Sequence, residues 1–559
     1  MSIRFRLPRL LPALLLVPAV AACTAATPSP SGAPTTTTAG MPAALDRITE
    51  ADLRRDLFAM AGDEMRGREG GTLDEMRASV WVAERAREAG LEPAGDDGTY
   101  FQFFPLGRTT QSEESVVEIG AQRFRFPGDF VVTARTTALV EGPIAVLADG
   151  AQPDATHAGR IVVMHLTPSD AAALTSVSAR RGPGPQEETS VRLSCLIAQR
   201  RNALGAVGAR AGLLVVDPSF EPYFLAISGA AVRGQYARDT MPSAQGGRGG
   251  GGGQLPAGCP ALGANVAQPA ETAAGAGGRG GQPAVLAAPM LIFRSAALQA
   301  LQVPGQTARV QLISDRFVYP SVNVVAKVPG TDPALRDEYV LYSAHQDHDG
   351  VRHVVDGDSI WNGADDNATV AVALLAIGRA VHAAPTRRSA LFVWHGSEER
   401  GLHGSYWFAG HPTVPRQSIV AVLNGDMIGR NHPDTAALLG SQPPHRNSAS
   451  LAATALAAND RVTRFVVDSS WDRTSHREGW YFRSDHLPYA CVGVPALFFS
   501  TLLHADYHTP KDEPDRIDIA KLRRMTQWMY ATGFAVGNAT ERPTVDPGFK
   551  LERTCAISP

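Results

Sequence analysis

The chain has 559 residues, of which 44% are hydrophobic, 19% charged and 7% aromatic. That length and composition call for at least one large core and more than one domain. Its 52 Lys and Arg against 55 Asp and Glu give a formal charge of -3, so no basic excess is present to neutralise a phosphate backbone, and nucleic acid is not expected as a partner. The five cysteines, at positions 23, 195, 259, 491 and 555, form neither a Cys-x-x-Cys zinc module nor a disulfide-dense scaffold. A metal bound here must therefore use His and carboxylates.

Arg4, Arg6 and Arg9 precede the apolar run LLPALLLVPAVAA. The run is too short to span a membrane, so residues 1–22 read as an export signal. It ends in Val20-Ala21-Ala22-Cys23, which resembles a bacterial lipoprotein box with Cys23 as the lipidated residue; cleavage of an ordinary secretory signal is the alternative. The chain is expected to be exported, either lipid-anchored on the periplasmic side of the envelope or secreted. The lipid at Cys23 would be its only membrane attachment. Residues 23–45, mostly Thr, Pro, Ser and Ala without apolar periodicity, form a disordered tether because they cannot repay the entropy of ordering.

The folded part then begins. Asp52, Leu53, Asp56, Leu57 and Met60 mark a first helix, and a second runs from about 73 to 89, carries Met76, Val80, Val82, Ala83 and Ala86, and stops at Gly90. The next segment, TYFQFFPL, is strand-like. From 112 to 315 short β-branched runs such as PIAVLAD and GRIVVMHL alternate with Gly, Pro and polar residues, as in a separate mixed α/β module. Inside it, SAQGGRGGGGGQLPAG and AAGAGGRGGQP read as mobile surface loops. A phosphate cradle would need a strand before, a helix after and a Lys-Ser/Thr pair, and these tracts have none of them.

From about 317 to 538 the apolar strands YVLYSAH, SALFVWH, IVAVLNGD and VPALFFS alternate with helical segments, among them 368–383 with Val370, Leu374, Ile377 and Val381 on one stripe. Continuous apolar runs suit strands buried on both faces. The expected fold class is α/β, a mixed, mainly parallel sheet flanked by helices, with its binding crevice beyond the carboxyl ends of the strands.

Each of these strands leads into a group able to bind a hard or borderline cation. The first ends in SAHQDHDG, with His345 and Asp347; WNGADDNAT brings Asp365 and Asp366 before the long helix. GSEERG brings Glu398 and Glu399, NGDMIG brings Asp426, and YHTPKDE brings His508 beside Tyr507. Taken singly each has a plainer reading. Glu398-Glu399 would be solvated surface, His345 a hydrogen-bonded loop residue, and Asp365-Asp366 a helix N-cap. Together they deliver His, Asp, Glu, Asp and His to one sheet edge, as a metal site requires. His-x-Asp adds a carboxylate able to accept the other N–H of a ligating imidazole.

In order and spacing these motifs resemble the di-zinc aminopeptidases of the bacterial leucyl aminopeptidase and aminopeptidase Y type, relatives of glutamate carboxypeptidase and the transferrin receptor. The resemblance covers residues 46 to 540. It implies a zinc exopeptidase catalytic domain in two pieces, 46–111 and 316–541, with a C-terminal tail at 542–559. The 112–315 insertion looks like a protease-associated domain, from which its Gly-rich tracts depart. It also implies two Zn2+ ions, one held by His345 and Asp426, the other by Glu399 and His508, with Asp366 rather than Asp365 bridging them. Asp347 would support His345, Glu398 would be the general base, and Tyr507 would donate to the developing oxyanion. Arg483 in FRSDHLPY matches a substrate-pocket segment.

A peptide is the expected substrate and release of N-terminal residues the expected reaction. A carboxypeptidase, or a single-zinc glutaminyl cyclase on the same fold, is the enzymatic alternative. A receptor-like binding protein is the non-enzymatic one, and it predicts missing ligands. A serine hydrolase is disfavoured because no Gly-x-Ser-x-Gly elbow is present. Trp361, Trp394, Trp407, Trp471 and Trp480 read as core, Cys491 as a buried small residue, and His348, His353, His395, His403 and His504 as structural or solvated.

Overall fold

A computed structural model describes residues 41–172, 185–238, 288–476, 478–553 and 555. The expected export signal, Cys23, most of the tether and both Gly-rich tracts lie outside them. Among the described residues the principal element is a ten-stranded mixed sheet. Its order runs Val466–Val467, Thr435–Leu439, Ala496–Ser500, Ile419–Gly425, Tyr339–His345, Ser389–His395, Ser314–Val328, Phe101–Gln111 and Gln235–Arg238, with Glu92–Pro93 paired to the Ser314–Val328 strand. The four strands from Ala496–Ser500 to Ser389–His395 are parallel to one another. Their outer neighbours on either side run antiparallel.

The apolar runs are continuous because both faces of these strands are covered. Val340, Tyr342 and Ala344 enter one buried cluster with Val370, Leu374 and Ile377 of the helix Thr369–Ala383, whereas Leu341 of the same strand joins Val422 and Phe408 in another. Side chains alternate across a strand, so a strand sandwiched in this way has no solvent-facing position that favours a polar residue. Helices Glu50–Met60, Leu73–Glu88 and Ile519–Asn538 pack into the first cluster. Thr49, Thr72 and Asp518 cap their N-termini by accepting backbone N–H groups.

Phe101–Gln111 and Ser314–Val328 pair in unbroken register from Val324↔Phe101 to Ser314↔Gln111. This ribbon leads to an eight-stranded sheet built from residues 116–312, whose own core includes Ile161, Val163, Leu213, Val215, Leu291 and Phe293. One later strand, Gln235–Arg238, pairs back onto Phe101–Gln111. No helix among the described residues is long and apolar enough to cross a membrane.

Cys491 is not the isolated small residue that its apolar surroundings suggested: it forms a disulfide with Cys555. Glu552 and Arg553 are pinned as well. Glu552 Oε1 lies 2.8 Å from His445 Nε2, and the Arg553 guanidinium sits 3.9 Å from the centre of the Phe482 ring.

Candidate metal centre

The centre lies at the C-terminal ends of the parallel strands, where side chains far apart in sequence converge. His345 is the last residue of its strand, and its Nε2 lies 3.2 Å from Asp366 Oδ1, 3.6 Å from Asp426 Oδ1 and 3.9 Å from Glu398 Oε2. The other Asp366 oxygen, Oδ2, lies 3.1 Å from Nε2 of His508, which is itself 3.2 Å from Glu399 Oε2. Asp366 therefore stands between two groups of side chains and offers one oxygen to each. Asp365 points elsewhere: Oδ1 accepts from the Gly429 N–H at 2.7 Å and Oδ2 lies 3.4 Å from His504.

The sequence reads His348 as structural or solvated; the structure excludes the solvated option and places it within the candidate group. It is fully buried, its Nδ1 lies 2.8 Å from Glu399 Oε1 and 3.9 Å from Asp366 Oδ2, and its ring meets His508 edge-on at 5.3 Å. A glycine makes the space. A Cβ on Gly363, which has φ +58°, would lie 2.2 Å from the His348 ring. The other histidines set aside from the sequence have partners away from the centre where contacts are resolved: His395 with Tyr489 at 3.1 Å, His504 with Asp365, and His353 against Trp361.

Asp347 supports His345 in a different way from the one expected. His345 Nδ1 is 3.1 Å from the Asp347 main-chain carbonyl, while the carboxylate is 3.9 Å away. The carboxylate instead accepts the backbone N–H groups of Glu398 at 2.9 Å and Glu399 at 3.3 Å. It thereby fixes the turn that presents both glutamates. Arg68, which the sequence did not single out, is fully buried and donates to the carbonyls of Gln346, Asn362 and Gly363 at 2.7–2.9 Å. It ties the His345 loop to the Asp366 loop. Asp512 accepts the N–H groups of Asp365 and Asp366. Neither residue carries a motif signal, because each acts through main-chain atoms.

Burial pushes the Glu398 carboxyl well above its ordinary range; His345 opposes this, while Asp485, Glu399 and Asp426 reinforce it. Asp366 goes the other way: burial and Glu399 raise it, but hydrogen bonds with His345 and His508 outweigh them and leave it lowered to about 2. Burial holds the Tyr507 hydroxyl well above its usual value, so it stays protonated at neutral pH. Its oxygen accepts from Arg483 Nη2 at 2.9 Å, which leaves the O–H proton free to be donated. Arg483 lies 4.5 Å from the centre of the Trp480 ring and 3.3 Å from Glu478. Trp480 belongs to a buried apolar cluster with Met427 and Phe498. The structure thus brings together every residue proposed for metal binding and sets Arg483 beside Tyr507.

The donor set fits divalent cations. Buried polar atoms without a partner are costly, yet His348 Nε2 has none, and His345 Nε2, His348 Nδ1, Glu399 Oε1 and Asp426 Oδ1 meet only other members of the same cluster, at 2.8–3.9 Å. They fall into two groups, His348, Asp366, Glu399 and His508, and His345, Glu398 and Asp426, with potential ligand atoms within 4.8 Å of one another in each. Imidazole nitrogen with carboxylate oxygen suits zinc and other borderline ions.

An α/β sheet carrying such a donor set at its C-terminal edge has the arrangement of a metal-binding type of site. Residues 323–533 match the family model for peptidase family M28. Among curated proteins, one named "Probable leucine aminopeptidase" from Arthroderma benhamiae is 25% identical over 258 residues, 43% of this chain and 65% of the relative. A "Probable zinc metalloprotease" from Leptosphaeria maculans is 26% identical over 215 residues, 34% of this chain and 49% of its own. The chain thus spans less than two thirds of these relatives. Among solved structures, BSAP, a zinc aminopeptidase from Bacillus subtilis, aligns at 14% identity over 90% of this chain and 99% of its own, with a TM-score of 0.49. An aminopeptidase from Aneurinibacillus sp. strain AM-1 aligns at 15% identity over 90% and 97%, with a TM-score of 0.48.

Proposed function

We propose that this chain is a zinc-dependent aminopeptidase that uses two zinc ions to hydrolyse the N-terminal peptide bond of its substrates. The observation that carries the reading is Asp366, whose two carboxylate oxygens stand 3.2 Å from His345 and 3.1 Å from His508. One carboxylate facing two ligand groups is what a bridged pair of cations needs. In this reading His345 and Asp426 would hold the first ion, Glu399, His508 and His348 would hold the second, and Asp366 would serve both. When bound, the ions supply Lewis acidity towards the scissile carbonyl and the attacking water.

The protein's own groups do the rest. Glu398 takes a proton from water on its carboxylate and returns it to the departing amine. Its burial favours the protonated form, while neighbouring cations favour the carboxylate, so the two pull towards a group that can serve both steps. Tyr507 donates its O–H to the substrate carbonyl oxygen as charge develops there, and Arg483 orients that hydroxyl. The relatives named as leucine aminopeptidases support the choice of amino- over carboxypeptidase. The test is paired: metal analysis of the purified chain, and turnover of free-amine against N-acetylated peptides. The reading expects two zinc ions per chain and cleavage of the free-amine series alone. Equal cleavage of blocked peptides would remove the aminopeptidase assignment.

A further inference from the structure

The helix Glu221–Arg233 lies between the two arms of the ribbon, outside the 323–533 match. At its end the chain turns through Gly234 at φ +85°, where a Cβ would lie 2.5 Å from the Thr109 carbonyl. Glycine permits that approach. Arg108 on the ribbon donates to the carbonyls of Arg233 and Val232, and the next four residues pair with the Phe101–Gln111 strand. The Arg233 side chain thus leaves a backbone fixed to the principal sheet.

It reaches the metal centre through one carboxylate. Arg233 Nη1 donates to Asp349 Oδ1 at 3.4 Å, and Arg400 Nη1 donates to the same oxygen at 3.2 Å. Asp349 Oδ2 takes Arg352 and lies 3.4 Å from Nδ1 of His508. Asp349 is 2% exposed, so these contacts are shielded from water and salt. Three guanidinium groups fix the rotation of a single carboxylate, and that carboxylate faces the nitrogen of His508 opposite the one turned to Asp366 and Glu399. A carboxylate at Nδ1 keeps the proton there and leaves Nε2 as the ligating atom. Tyr236, in the strand after Gly234, adds a second contact: its hydroxyl is 3.4 Å from Glu69, which also takes Arg400.

We propose that Arg233 is a positioning residue of the metal centre, supplied by the segment between the ribbon arms, which holds Asp349 so that His508 is set for its ion. This rests on the two-zinc reading above. Full-length wild type, Arg233→Met, Arg233→Lys and Asp349→Asn are titrated with zinc against a chromophoric chelator. Melting temperatures are measured on the metal-free proteins, and KM at saturating zinc. Arg233→Met is expected to weaken one of the two zinc-binding steps by about 10–100-fold and to leave the other step, the metal-free melting temperature and KM unchanged. Lysine recovers most of the loss, and Asp349→Asn weakens the same step. Unchanged zinc affinity in Arg233→Met overturns the proposal. So does a loss of both steps together with a lower metal-free melting temperature, or a change confined to KM, which would make Arg233 a substrate contact. A wild-type chain that takes up fewer than two ions refutes the two-zinc reading instead, and is recognised before any variant is compared.

Discussion

Replacing Glu398 by Gln tests the chemistry at a single group. The side chain is 8% exposed, its Oε2 is 3.9 Å from His345 Nε2, and its backbone N–H is held at 2.9 Å by the Asp347 carboxylate. Glutamine keeps the volume and the anchored backbone, but its amide accepts no proton at neutral pH. General acid–base catalysis contributes about 10²–10⁴-fold, so kcat should fall by that factor, about 3–6 kcal/mol at about 1.4 kcal/mol per tenfold. The assay is steady-state hydrolysis of an amino-acid p-nitroanilide beside zinc content by mass spectrometry, and both ions should remain. Wild-type turnover would refute the proton-transfer role. Loss of zinc along with turnover would make Glu398 a ligand beside His345 and Asp426, with which its oxygen clusters within 4.8 Å.

His348→Asn removes a buried imidazole whose Nδ1 is 2.8 Å from Glu399; the zinc titration should show one of the two binding steps weakened, whereas unchanged affinity would leave His348 as a partner of Glu399 only. Tyr507→Phe, which deletes the hydroxyl that accepts from Arg483, should lower kcat by about 10²–10³-fold with zinc content intact; an effect on KM alone would contradict an oxyanion role. His445 is pushed below its ordinary 6.5 by burial, but hydrogen bonds to Asp472 and Glu552 outweigh this and raise it. Its folded pKa therefore lies above the unfolded one. The stability it gives the C-terminal contact is fully present below about pH 6.5 and is lost as pH rises through the folded pKa. Melting curves of wild type and His445→Gln should accordingly differ most below pH 6.5 and converge above it; a difference that grows with pH would refute that sign.

Much of the centre was legible in the sequence because its residues come after apolar runs that could only be buried strands. His345, Glu398, Glu399 and Asp426 lie at or just beyond strand ends, and Asp366 just before the helix Thr369–Ala383. The residues that stayed hidden depend on contacts without local pattern. His348 sits in a polar loop that reads as solvated, and only Gly363, fifteen residues on, shows that its ring is enclosed. Asp347 acts through its main-chain carbonyl on His345, and Arg68 through three carbonyls far along the chain. The Cys491–Cys555 bond joins residues 64 apart, and no spacing rule gives such connectivity. Arg233 and Asp349 are 116 residues apart. The ribbon of Phe101–Gln111 with Ser314–Val328 likewise joins strands separated by some two hundred residues, so its antiparallel register came from closure of the fold rather than from either strand alone.

Anomalous diffraction at the zinc edge from crystals of the full chain is the most direct measurement of the central claim. Two peaks are predicted, one among His345, Asp366 and Asp426 and one among His348, Asp366, Glu399 and His508, with Asp366 touching both. A single peak, or peaks that do not share Asp366, would contradict it.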